Sequence, residues 1–123
     1  MNLFNAFRSR SPSRDADTDR QRFERLSTTL TSVRDEVERE QEGLRRRYDE
    51  SRRDAGMALE ALDERPLSAK LAASVDQHSD TILKCEKRLQ TLEAQKQHFA
   101  RIGDLLSELP GSRPSDAPAR VLS

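Results

Sequence analysis

From Phe23 onward, apolar residues recur at alternating intervals of three and four: Phe23, Leu26, Leu30, Val33, Val37. This spacing lines one side of a helix that packs lengthwise on another. The next seam position falls on Glu40, and the stripe resumes as Leu44, Tyr48, Ser51 or Ala55, Ala58 or Leu59, and Leu62. The step from Leu44 to Tyr48 reads as a stutter, which relaxes left-handed supercoiling. Thr18 followed by Gln21 reads as a capping box opening this helix. Pro66 forces Arg65 out of helical geometry, so the helix is expected to stop near Asp63.

A second stripe runs Val75, His78, Ile82, Cys85, Leu89, Leu92, Lys96, Phe99, Gly103, Leu106. Leu67 and Leu71 extend it backwards, and Ile102, Leu105 and Leu109 widen it near the end. Its start stays open: Pro66 suits a first helical position, Ser68 suits a cap, and Ser74 with Gln77 forms another capping box. Pro110-Gly111 ends it. The pattern therefore predicts an all-α protein: helices over about 18–63 and 67–109 paired as a long antiparallel coiled-coil hairpin spanning 17–109. Residues 1–16 read as a flexible N-terminal segment bearing a short apolar docking patch, and 110–123 as a disordered tail.

Antiparallel pairing can be checked by register, because facing residues then have numbers with a constant total, about 132 for a turn centred on Pro66. Phe23 falls beside Leu109, Leu26 beside Leu106, Leu30 beside Ile102, Val33 beside Phe99 and Leu44 beside Leu89. Apolar meets apolar at each level. The polar seam positions also pair: Lys96 falls near Glu36 and Glu40, and His78 near Ser51 and Asp54. Residues of this kind fix register at some cost in stability.

Composition sharpens the picture. In 123 residues, 33% are apolar, 36% charged and only 4% aromatic. Average globular domains carry roughly 45–50% apolar and about 25% charged residues. So little bulk cannot fill a compact core, but it suffices for a two-helix seam. Net charge is zero, so no global field draws the chain to nucleic acid. One cysteine, Cys85, cannot form an internal disulfide and suits a reducing compartment; the expected location is cytoplasmic.

Candidate chemistry is sparse. Arg45, Arg46, Arg47, Arg52 and Arg53 around Tyr48 offer phosphate contacts and a stacking ring. Helical spacing instead predicts ion pairs with Asp49, giving a solvated face. The acidic run Asp35, Glu36, Glu38, Glu40 and Glu42 has no histidine near it, and His78 and His98 are too far apart for a zinc spacing. No nucleophile–base set or phosphate-cradling loop is found, so no cofactor, metal or catalytic residue is assigned and no enzyme activity is expected.

Leu3, Phe4 and Phe7 are left without a place in the hairpin register, followed by Arg8, Arg10 and Arg14. A short amphipathic stretch like this suits a partner groove, weak contact with a membrane surface, or the hairpin's own end. The expected function is a protein-interaction module, an adaptor or assembly factor, with protein partners and a second copy among them. The alternatives are a helical protein using its Arg clusters on nucleic acid or membrane, or a structural subunit of a larger assembly. In length, charge and helix pairing the chain resembles the small hairpin stalk proteins of bacterial type III and flagellar export.

Overall fold

The computed structural model describes residues 11–113. Residues 1–10, with the expected docking patch, and 114–123 lie outside the described residues. Two helices pack against each other antiparallel: α1, Pro12–Glu64, of 53 residues, and α2, Ala69–Ser107, of 39. Among the described residues there is no strand.

Helix α1 opens at Pro12, not near Thr18. Its first turn closes as Asp15 N–H donates to Ser11 O at 3.1 Å. Proline suits this first helical position, where its missing N–H is no loss and its φ is already set. Asp15 adds negative charge at the positive end of the helix dipole. Thr18 is mid-helix, its hydroxyl donating to Arg14 O at 3.0 Å. The expected capping box is therefore not used.

The connection is short. Arg65 N–H donates to Ala61 O at 3.0 Å, and Ser68 N–H to Arg65 O at 3.1 Å. This closes a four-residue turn with Pro66 at its second position, where a fixed φ is favoured. Of the three candidate starts, α2 uses Ser68. The Ser68 hydroxyl oxygen accepts from Leu71 N–H at 3.2 Å, and its carbonyl from Ala72 N–H at 3.1 Å. These bonds satisfy first-turn amides that would otherwise go unpaired.

Beyond Ser107 the backbone tightens, with Glu108 N–H bonded to Leu105 O and Leu109 N–H to Leu106 O. The Ser107 carbonyl then accepts from the Ser112 hydroxyl at 3.3 Å and Arg113 Nε at 3.2 Å. Residues 110–113, expected in the tail, thus form a defined turn. Gly111 has φ +85°, and a Cβ there would lie 2.8 Å from Asp19 Cβ. Only glycine fits both demands.

The chain divides into two compact units. A terminal unit combines the residues up to Arg34 with those from His98, and a turn unit runs from Asp35 to Gln97. In the turn unit the buried residues are Val37, Gln41, Ser51, Ala55, Ala58, Cys85 and Leu92. Leu44, Tyr48, Leu62, Leu71, Val75, Ile82 and Leu89 are half-buried.

The seam accordingly passes through Gln41, not Glu40, and the stutter falls between Val37 and Gln41. Electrostatics explains the one-residue shift. A carboxylate in the seam would be costly to desolvate, whereas a neutral amide needs only hydrogen-bond partners. Gln41, 1% exposed, donates from Nε2 to Glu93 Oε2 at 3.2 Å.

In the terminal unit no described residue is fully buried; Phe23, Leu30, Val33, Phe99, Leu106 and Leu109 are half-buried. Leu30 Cδ2 sits 3.6 Å from where a Gly103 Cβ would be. Within each unit the facing pairs follow the expected register to within a residue or two: Leu30 with Gly103, Asp19 with Gly111, Gln41 with Glu93, and Tyr48 with Glu86.

Candidate interaction surface

The terminal unit has two unlike faces. Leu30 over Gly103 marks the line along which its helices meet. To one side an open groove of about 450 Å³ is lined by Ser27, Thr31 and Arg34 of α1 and by Asp104 and Ser107 of α2, with Phe23 and Leu106 at its floor. Leu30, Ala100 and Gly103 complete a lining in which polar and apolar residues are mixed.

At 100° per residue, Leu26 and Val33 turn to the other side of α1, and Phe99, Ile102 and Leu109 to the other side of α2. Here the apolar residues are not covered: Leu26 is 54% exposed, Ile102 47% and Leu105 66%. Ile102 lies about 100° round α2 from Gly103, beside the seam, whereas Leu105 lies about 200° round, on the helix's outer side. Two helices alone cannot enclose side chains that flank their seam. These residues stay partly in water.

The turn unit is braced by polar contacts instead. Arg88 grips Glu40 with two donors, Nε to Oε2 at 2.7 Å and Nη2 to Oε1 at 3.1 Å. That fork pairs a planar guanidinium with a carboxylate and so specifies orientation as well as proximity. The hydrogen bond from Arg88 is the main reason the Glu40 carboxyl titrates below its ordinary value, despite partial desolvation acting the other way. Tyr48 Oη donates to Glu86 Oε1 at 3.2 Å, and the Arg52 guanidinium lies over the Tyr48 ring, 5.6 Å from its centre. This unit also exposes apolar residues: Met57 and Leu83 turn away from the seam, Leu59 lies beside it and Leu67 stands in the connection between the helices. Such single exposures are ordinary.

The sequence-predicted positions separate clearly. Leu3, Phe4 and Phe7 lie outside the described residues. Glu36 and Glu40 are exposed, while Lys96 and His78 are half-buried in the second helix's seam. Glu40 is held by Arg88, not by Lys96. A long guanidinium one turn from the seam reaches the rim more easily than an ammonium within it. Sequence reasoning missed Gln41, Glu93 and Arg88 as the residues that brace the register.

Arg45, Arg46, Arg47, Arg52 and Arg53 are all exposed. The expected ion pairs with Asp49 do not form among the described residues, whereas Arg22–Asp19, Lys84–Asp80 and Arg88–Glu40 do pair. Arg52 prefers the aromatic face of Tyr48. Long exposed side chains gain too little from a surface pair to be held in one geometry.

Among the described residues, no group of three or more His, Cys, Asp or Glu is placed to hold a metal ion, and no helix is long and apolar enough to cross a membrane. Comparison with protein-family models, curated proteins and solved structures finds no match for this chain.

Proposed function

We propose that this chain is a non-enzymatic protein-interaction module, an adaptor or assembly factor, that binds protein through the apolar face of its terminal unit. One observation carries the reading: Leu26, Ile102 and Leu105 are about half exposed or more on a unit that buries none of its described residues. Apolar surface left in water is a standing driving force for association, about 25 cal/mol for each Å² covered. The same reading assigns Leu3, Phe4 and Phe7 to binding, and places the protein in the cytoplasm, where the buried thiol of Cys85 stays reduced.

The test compares protein recovered from native cells with the wild-type chain, with Leu26→Ser plus Ile102→Ser, and with Arg45, Arg46, Arg52 and Arg53 all changed to Gln. Loss of a specific co-purifying protein with the Leu26/Ile102 pair, and its retention with the Arg set, is the expected result. The opposite pattern would move the interaction to the arginines and favour nucleic acid or an acidic surface.

A further inference from the structure

The turn unit holds a cavity of its own, and we propose that it is a ligand site for a small carboxylate with an apolar body. The cavity, about 300 Å³, is lined by Leu44 and Arg47 of α1 and by Thr81, Lys84, Cys85 and Arg88 of α2. That volume is at the small end of the range for ligand pockets. All six residues belong to Asp35–Gln97, so the site is independent of the exposed face of the terminal unit.

Three cations and no acid line this space. Helical spacing brings them together: Thr81, Lys84 and Arg88 are three and four apart and so share one side of α2. In the antiparallel register Arg47 falls opposite Cys85, at a level between Lys84 and Arg88. Like charges gathered in this way repel unless something negative answers them. Two are answered locally. Lys84 Nζ meets Asp80 Oδ2 at 2.9 Å, and Arg88 forks onto Glu40. Arg47 is not. The positions four residues to either side of it are Gly43 and Ser51, which carry no charge. It makes no ion pair with Glu50, three residues on, or with any other described residue. The cavity is left with one unanswered positive charge.

That balance selects the ligand. One net positive charge matches a monoanion, whereas a phosphate monoester brings nearly two negative charges. A carboxylate also fits the planar fork of Arg47. Arg88 can add to it, because a guanidinium has five N–H donors and Glu40 engages Nε and Nη2 only. The Thr81 hydroxyl is spent on Gln77 O at 3.1 Å, so the cavity selects by charge and shape. Leu44 is half-buried and Cys85 only 4% exposed, and together they give the cavity an apolar floor. A free buried thiol acts here as a small apolar surface. A bare ion would leave that floor unused.

Benzoate is the probe, one carboxylate on an apolar ring. It is titrated into the full, isotope-labelled chain, and amide shifts are followed by NMR at residues 44–47 and 81–88. Acetate carries the same charge without the apolar body, and phenyl phosphate carries the same ring with a larger charge. Arg47→Gln removes the unanswered cation, breaks no ion pair and keeps a good helix former. Arg45→Gln removes an exposed cation that does not line the cavity.

The expected result is saturable binding of benzoate at those amides, about tenfold weaker for acetate, about tenfold weaker in Arg47→Gln and unchanged in Arg45→Gln. Shifts that never saturate would overturn the proposal. So would equal losses in the two variants, which would reduce the effect to general attraction between an anion and surface charge. Equal affinity for acetate would show that the apolar floor is not used, and tighter binding of phenyl phosphate would assign the cavity to phosphates. Either outcome would overturn the ligand class proposed.

Discussion

The two units use the same helix pair to opposite ends. The turn unit buries small and polar side chains, Ala55, Ala58, Ser51 and Gln41, together with Leu92 and Cys85. The terminal unit carries bulkier residues, Phe23, Phe99, Leu26 and Ile102, and encloses none of them. Hydrophobicity alone thus does not decide burial in a hairpin. Small side chains disappear between two helices, whereas large ones at flanking positions stay half in water until something else covers them. The contrast concentrates burial in the turn unit and leaves exposed the face through which we propose binding.

The largest expected effect comes from breaking the turn unit. Leu92 is 1% exposed, and Leu92→Ala should cost about 2–5 kcal/mol in urea unfolding. Leu105→Ala, in the terminal unit, should cost within about 1 kcal/mol, since its side chain is mostly solvated already. Equal losses would erase the distinction between the units.

Next comes Gly111→Ala. A left-handed φ costs a non-glycine residue about 1–2 kcal/mol, and the added methyl would also press on Asp19. Amide exchange should speed up around residues 98–113 and stay unchanged in Asp35–Gln97. A global loss of protection would show that the turn supports more than its own unit.

Gly43 and Gly56 act in the other direction. Nothing lies within 4 Å of a Cβ at either position, so each change to Ala should raise stability by about 0.5–1 kcal/mol. Thermal melts of the single and double variants would show whether the gains add.

The smallest effect concerns the Arg88–Glu40 fork. Glu40 has its pKa lowered in the folded chain. Its contribution to stability is therefore present above the ordinary carboxylate value and lost as pH falls through the lowered one. Arg88→Gln should flatten that part of the acid limb of a stability–pH profile. Both groups are half exposed, so the difference should shrink further in high salt.

Much of this architecture was legible from spacing. The three-four stripes, Pro66 and the constant register predicted the hairpin because burial along a seam leaves a periodic mark. The failures were local. After Val37 a step of three or four is equally periodic, and only the cost of burying Glu40 against Gln41 separates them. Ser11-Pro12 opened the helix in competition with Thr18, since a proline at the first helical position works as well as a capping box. The turn at 110–113 left no periodic trace, for it depends on one glycine and one contact with Asp19. The exposed apolar residues were half legible: Leu26, Ile102 and Leu105 were read as seam or its widening. Only the packing showed that two helices leave them uncovered.

Leu105 and Leu83 supply the most direct test, being 66% and 63% exposed in the terminal and turn units respectively. Each is changed to Ser, and the affinity of the purified chain for its co-purified protein partner is measured. Loss of about tenfold or more with Leu105→Ser, and no change with Leu83→Ser, is the result expected if the terminal unit is the binding surface. Loss with Leu83→Ser and none with Leu105→Ser would contradict it.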